Sequence, residues 1–286
     1  MRLPVAKGFY SFFRENLITE IESCFLDKFG VGYLPKEKKN DKKLIAGIVP
    51  HAGYIYSGPC ASYLYATLYE NWNFDTIVIV GTNHYGIGNK FSMLVTDDWY
   101  TPLGIIKTDL EFGRKLMEKT DVIEDPLPHK YEHSIEVQLP FLQYLINNFK
   151  IVPILVNDIT IKDAKKFSEA LLEISKELNR KIFLLASGDF THHGEIYGFK
   201  IFKENEIENV KKLDLEIIEK ILKLNSEEFL DIARKSTVCG IYPFLIFIEY
   251  SKLFNPKVEL LKYYNTGEKT GEKHAIVGYA SIISYI

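Results

Sequence analysis

Seven histidines hold much of the chemistry open to this chain, and five of them sit where a folded protein could use them. His51, His84, His133, His192 and His193 fall at the ends of apolar runs or just before a helix, in polar or glycine-bearing turns. One apolar run delivers Pro50-His51-Ala52-Gly53-Tyr54. A second, over 76–80, enters Gly81-Thr82-Asn83-His84. A third, over 181–186, ends in Ser187-Gly188-Asp189-Phe190-Thr191-His192-His193. Each run reads as a buried strand, and open α/β sheets collect ligands just beyond the carboxyl ends of their strands. Placed side by side, these strands bring His51, His84 and Asp189/His192 to one pocket. Imidazole, carboxylate and thiolate are good ligands for a borderline transition metal. Two imidazoles and one anionic donor, with open coordination positions, suit non-haem iron(II) or a catalytic zinc.

Other residues could join them. Cys239 stands before Gly240 at the start of an apolar helix, where the helix terminus favours thiolate, so it is a candidate ligand or nucleophile. Positions 133 and 136 share a face if that segment is helical, so Glu136 could orient His133. A surface ion pair is the competing reading. Cys24 and Cys60 lie on helix faces of apolar and small residues and read as packing. His129 sits in a loop, and His274 opens the last strand as a structural or solvated residue.

The spacing of apolar residues predicts helices over 11–29, 59–70, 109–119, 134–148, 161–178, 204–222, 226–234 and from Gly240 to about 253. Pro140 should kink the helix over 134–148. Strands are expected over 44–49, 76–80, 91–96, 104–108, 151–156, 181–186, 258–263 and 275–286, with hairpins at 91–108 and 257–286. Residues 99–104 read as a turn and 265–273 as a loop. Strands alternating with helices predict an α/β fold of three layers around a central mixed sheet. No linker or composition shift divides the chain, so one domain over 1–286 is expected.

Composition narrows the function classes. The chain has 286 residues, 47% apolar and 26% charged, which excludes general disorder. Its net charge of −3 offers no basic field for nucleic acid or an anionic membrane. Three cysteines without a CxxC pair, no signal-peptide core and no long apolar run predict a reduced, cytoplasmic protein that does not span a membrane. There is no GxSxG elbow, no HExxH and no GxGxxG after a strand. The Gly-Glu-Lys-Thr-Gly-Glu-Lys run over 267–273 lacks the spacing of a phosphate-binding loop.

Read together and in order, Pro50-His51-Ala52-Gly53-Tyr54, Gly81-Thr82-Asn83-His84, Thr101-Pro102-Leu103-Gly104, Glu132-His133-Ser134-Ile135-Glu136, Ser187-Gly188-Asp189-Phe190-Thr191-His192 and Thr237-Val238-Cys239-Gly240 resemble the Memo family. Gly8-Phe9-Tyr10 and Val277-Gly278-Tyr279-Ala280 extend the likeness over nearly the whole chain. The archaeal and bacterial members are the most similar. That family is similar in fold to class III extradiol dioxygenases, which open catechol rings with non-haem iron(II).

The resemblance implies a metal held by His51, His84 and Cys239. It implies that Asp189 and His192 sit beside that metal, with His192 the catalytic base and Asp189 orienting it, and that Phe9, Tyr54, His133 and Glu136 lie around the pocket. Iron is the first expectation for the metal, with copper or zinc as alternatives. The dioxygenases use a carboxylate where this chain has Cys239, and a thiolate moves preference towards copper, zinc or a different iron chemistry. The expected function is therefore a metal-dependent redox or dioxygenase-like protein acting on a small molecule. A non-catalytic protein that binds metal or peptide in the same pocket is the main alternative. Metal-assisted hydrolysis, or thiol chemistry at Cys239, is a third.

Overall fold

Runs of Val, Ile, Leu and Ala between turn residues become strands because both of their faces are covered. A computed structural model describes all 286 residues. In chain order its elements begin with α1 (Arg14–Leu26), β1 (Leu44–Val49), α2 (Tyr54–Glu70), β2 (Thr76–Thr82), β3 (Phe91–Met93), β4 (Trp99–Thr101) and β5 (Gly104–Thr108). Next come α3 (Leu110–Lys119), β6 (Ile123–Glu124), α4 (Leu139–Leu145), β7 (Lys150–Val156), α5 (Ile161–Glu177), β8 (Ile182–Ser187) and β9 (His192–His193). The chain closes with α6 (Glu206–Leu222), α7 (Ser226–Ala233), α8 (Ile241–Lys252), β10 (Lys257–Asn265), α9 (Thr266–Thr270) and β11 (Ile276–Tyr285).

The strands join one mixed sheet with the order β10-β11-β1-β8-β2-β7-β3-β6. Its centre, β1-β8-β2-β7, is parallel, while β11 runs antiparallel to β1 and β3 antiparallel to β7. Side chains alternate across the pleat. Ile48, Val80, Leu184 and Ala186 pack against Phe167 of α5, Ile217 of α6 and Phe244 of α8. Ile77, Ile79, Phe183 and Leu185 pack on the other side against Leu17 of α1, Leu64 of α2 and Phe141 of α4. The three-layer α/β arrangement expected from the sequence is the one found. No helix is long and apolar enough to cross a membrane.

Several local expectations change. The segment over 134–148 is not one kinked helix. It is a 3-10 turn over Glu136–Gln138 followed by α4, and Pro140 falls in the first turn of α4, where its missing N–H costs nothing. The hairpin near 91–108 is β4 with β5, so Trp99–Thr101 is strand and only Pro102-Leu103 turns; β3 pairs instead with β7 and β6. α2 starts at Tyr54, five residues before the expected position, despite Pro59 inside it. The loop after β10 holds α9, closed by a capping box between Asn265 and Glu268.

Register places the site. Val49 of β1 and Gly81 of β2 both stand opposite Ser187 of β8. His51, His84 and Asp189 therefore leave the sheet at nearly the same height on its carboxyl edge.

Candidate metal centre

The three strand ends deliver their side chains to one point. His51 Nε2 lies 3.2 Å from Cys239 Sγ, and the His51 and His84 ring centres are 5.0 Å apart, edge to face. One donor atom from each of His51, His84 and Cys239 lies within 4.8 Å of the others. Cys239 reaches the site because Gly188 and Gly240 let two backbones touch. A Cβ on Gly188 would sit 2.3 Å from the Gly240 Cα. The Asp189 N–H then points at the thiol sulfur, 3.2 Å away.

The opposite nitrogen of each imidazole is occupied. His84 Nδ1 is 2.9 Å from Glu132 Oε1, and His51 Nδ1 is 3.1 Å from Ser187 Oγ. That leaves both Nε2 atoms for the shared point. Burial, followed by the neighbouring His84, His133 and His192, holds the His51 imidazole well below the ordinary histidine range. A neutral, oriented ring is the form that binds metal. Imidazole nitrogens and a sulfur this close to one another can share one ion. The residues present therefore fit a borderline divalent metal.

Cys239 departs from expectation. Burial, then the Asp189 carboxylate, push its thiol well above the usual range, so without metal it is a protonated thiol. The helix terminus does not outweigh desolvation here. A bound cation would supply the charge that makes it thiolate.

Asp189 also behaves differently from the sequence reading. Its Oδ1 accepts the His51 N–H at 2.8 Å, and burial raises its carboxyl to about 7 against the pull of that bond. No hydrogen bond joins it to His192. The His192 ring is held by two carbonyls instead, Phe190 O at 3.0 Å and Thr237 O at 3.1 Å from Nδ1. Because carbonyls only accept, Nδ1 carries the proton and Nε2 is a free acceptor. The strand pairing of His192 with Val277 fixes its backbone. Asp189, His192 and Cys239 form a second close group of donor atoms.

The pocket residues divide. Phe9 and His133 line a cleft of about 920 Å3 in front of the metal point, together with Tyr56, Tyr197, Val277 and Tyr279. His133 is layered between Phe9, at 4.2 Å, and His84, at 4.7 Å between ring centres. Tyr54 is not on the cleft. Its hydroxyl donates to Val137 O at 2.7 Å in the core, because α2 turns residue 54 inward and residue 56 outward. Glu136 does not orient His133. It is fully buried and accepts from Arg2, the Val5 and Ala6 amides and the Tyr10 hydroxyl. The carboxylate that serves the histidines is Glu132.

His193 lies outside the centre. Its Nε2 accepts the Phe202 N–H at 3.2 Å and its ring packs on Phe202. His129 is also buried away from the centre, bonded to Ser92 O. His274 lines the cleft mouth. Cys24 and Cys60 are buried packing residues, as expected. Two contributors were given no role from the sequence: Ser187, though it opens a motif, and Gln138 touch the site only through hydrogen bonds that residue spacing does not reveal.

Comparisons with known proteins bear on the family and the fold. The family model described as Memo-like protein matches residues 2–283. A MEMO1 family protein of Pyrococcus abyssi is 38% identical over 296 residues and covers 99% of both chains. One from Pyrococcus furiosus is 41% identical over 258 residues, covering 86% of this chain and 88% of its own. One from Methanopyrus kandleri is 36% identical over 288 residues, covering 99% and 98%. The crystal structure of an uncharacterized protein from Escherichia coli K12 shares the fold, with a TM-score of 0.52 at 11% identity over 84% of this chain and 99% of that one. The chain belongs to the Memo-like family.

Proposed function

We propose that this protein is a metal-dependent oxidoreductase that binds a small molecule in the cleft, with the metal held by His51, His84 and Cys239. The observation that supports it most is the orientation of the donors. Each imidazole is tied at Nδ1, His51 Nε2 lies 3.2 Å from the Cys239 sulfur, and a donor atom of His84 lies within 4.8 Å of both. Iron is the first candidate, by likeness to the dioxygenases; the thiolate also suits copper or zinc. When bound, a divalent metal with open positions would polarise a substrate hydroxyl and supply the redox chemistry.

The protein's own groups then have separable tasks. His192 Nε2, an acceptor because Nδ1 donates to carbonyls, takes the proton from a substrate hydroxyl. Asp189 holds the His51 backbone and places its second oxygen 3.9 Å from His51 Nε2. Phe9 and Tyr197 wall the cleft with aromatic surface, which suits a flat, partly apolar substrate.

Metal content decides the ligand set. Wild-type protein should hold about one equivalent, and His51→Ala and Cys239→Ser far less; equal content in all three would refute the assignment. Oxygen uptake by iron(II)-loaded protein over a panel of catechols tests the reaction, and no consumption with any of them counts against it. The thiol in place of a carboxylate favours a second reading, a metal- or peptide-binding protein without turnover. Stoichiometric metal with no oxygen consumption would select it.

A further inference from the structure

Behind His51 lies a buried chain of polar groups whose direction is set by two carbonyls. Gln138 Nε2 is 3.0 Å from Pro50 O and 2.8 Å from Ser187 Oγ, and Gln138 Oε1 accepts from Tyr65 Oη at 2.6 Å. Pro50 O can only accept, so the amide group of Gln138 faces it and also donates to Ser187. Ser187 Oγ lies 2.6 Å from Ser134 O, another group that can only accept. The single Ser187 proton must lie on that line. Tyr65, Ser134, Gln138 and Ser187 are all buried, so water cannot relieve a mismatch. Ser187 thus has no proton left for His51, and the contact between them at 3.1 Å requires His51 Nδ1 to donate.

We infer that Ser187 is a positioning residue that locks His51 in its Nδ1-protonated tautomer, with the Ser134 carbonyl setting the direction and Gln138 holding the hydroxyl in place. The consequence is chemical. In this tautomer Nε2 keeps its lone pair and points at the metal position. In the other, Nε2–H would donate to Cys239 Sγ, and both donors would be lost to a metal. His84 and His192 reach the same tautomer by other means, a carboxylate and two carbonyls. His51 is the one ring whose state depends on a hydroxyl that could in principle give or take. The effect on affinity rests on the metal-site reading above; the tautomer does not.

The test uses the full chain without metal, followed by cobalt(II). Long-range 1H–15N correlation spectra of histidine-labelled protein read the tautomer of each ring. Wild type should show His51, His84 and His192 as Nδ1–H, and a wild-type His51 in the Nε2–H form would overturn the inference. Ser187→Ala removes the acceptor, so His51 should pass to Nε2–H while His84 and His192 stay as they were. Cobalt(II) affinity should then fall on the order of 10–100-fold. A variant that keeps His51 as Nδ1–H and binds cobalt unchanged would refute the role. A shift of all three rings would show that Ser187 acts on the fold at large, which also overturns it. If the tautomer switches but neither protein takes up cobalt, the positioning role stands and the metal assignment fails.

Discussion

His84 Nδ1 lies 2.9 Å from Glu132 Oε1, and the other Glu132 oxygen accepts the His84 backbone N–H at 2.8 Å. One carboxylate therefore grips a candidate ligand by both ring and backbone. It also accepts the amides of His133 and Ser134, each at 2.9 Å. Two of these four N–H groups come from the irregular backbone after Glu132 and two from His84 just beyond β2, all around one buried side chain.

Glu132→Gln should weaken metal binding on the order of 10–100-fold while leaving the fold intact, measured by competition titration with a chromogenic chelator. The same carboxylate sets an acid limit. Burial raises its pKa, but the His84 hydrogen bond and charge, His133 and the Ser134 amide bring it down to about 2. A folded pKa below the unfolded value stabilises above about 4.5, and that contribution is lost as pH falls towards 2. The metal-free wild type should lose on the order of 3 kcal/mol across that window through this group. Urea unfolding at pH 5 and pH 3 should show a shallower slope in Glu132→Gln.

His192→Gln should leave metal content unchanged and lower turnover by roughly 10²–10⁴-fold, the usual range for a positioned acid or base. Metal analysis beside oxygen uptake separates the two effects. Loss of metal in this variant would make His192 a ligand instead of a base.

Glu136→Ala should behave in the opposite way to Glu132→Gln. It leaves the buried Arg2 guanidinium without its partner and frees the Val5 and Ala6 amides. Breaking such a pair costs about 3–5 kcal/mol, so the unfolding midpoint should drop sharply. The segment it anchors carries Phe9 over His133, while the candidate metal donors lie on other elements. Metal affinity of the folded fraction should stay close to wild type.

Asp214 is buried in α6, where it accepts the Thr191 N–H at 3.0 Å and the Tyr263 hydroxyl at 2.8 Å with no cation beside it. Burial lifts its carboxyl to about 7. A folded pKa above the unfolded value means that the protonated form favours the fold. That contribution is fully present below about pH 4 and is lost as pH rises through 7. Asp214→Asn should remove this loss, making the variant more stable relative to wild type at pH 8.5 than at pH 5. Thermal unfolding at the two pH values checks the sign.

Much of the centre was legible in the chain itself. Apolar runs that stop at His51, His84 and Asp189 announce strands ending on chemistry, and parallel strands share one carboxyl edge. His192 was marked by the same strand end as Asp189 and Cys239 by its place before an apolar helix, while the roles given to them came from the family likeness. Local periodicity failed where the backbone is irregular. Glu136 looked helical with His133, but a turn at Ser134 hands the histidines to Glu132 and sends Glu136 to the N-terminal segment.

The linear sequence determined which side chains could bind a metal and which ends of the strands would carry them, because those depend on residue type and hydrophobic period. Only the tertiary structure decided how each is held. Whether residue 54 or 56 faces the cleft depends on the rotation of α2. Whether Cys239 is thiol or thiolate depends on burial outweighing a helix terminus. Which nitrogen of His51 carries the proton depends on Ser134 O and Pro50 O, carbonyls brought together by folding. Hydrogen-bond direction and desolvation arise between segments distant in the chain, so no local pattern of residues can encode them.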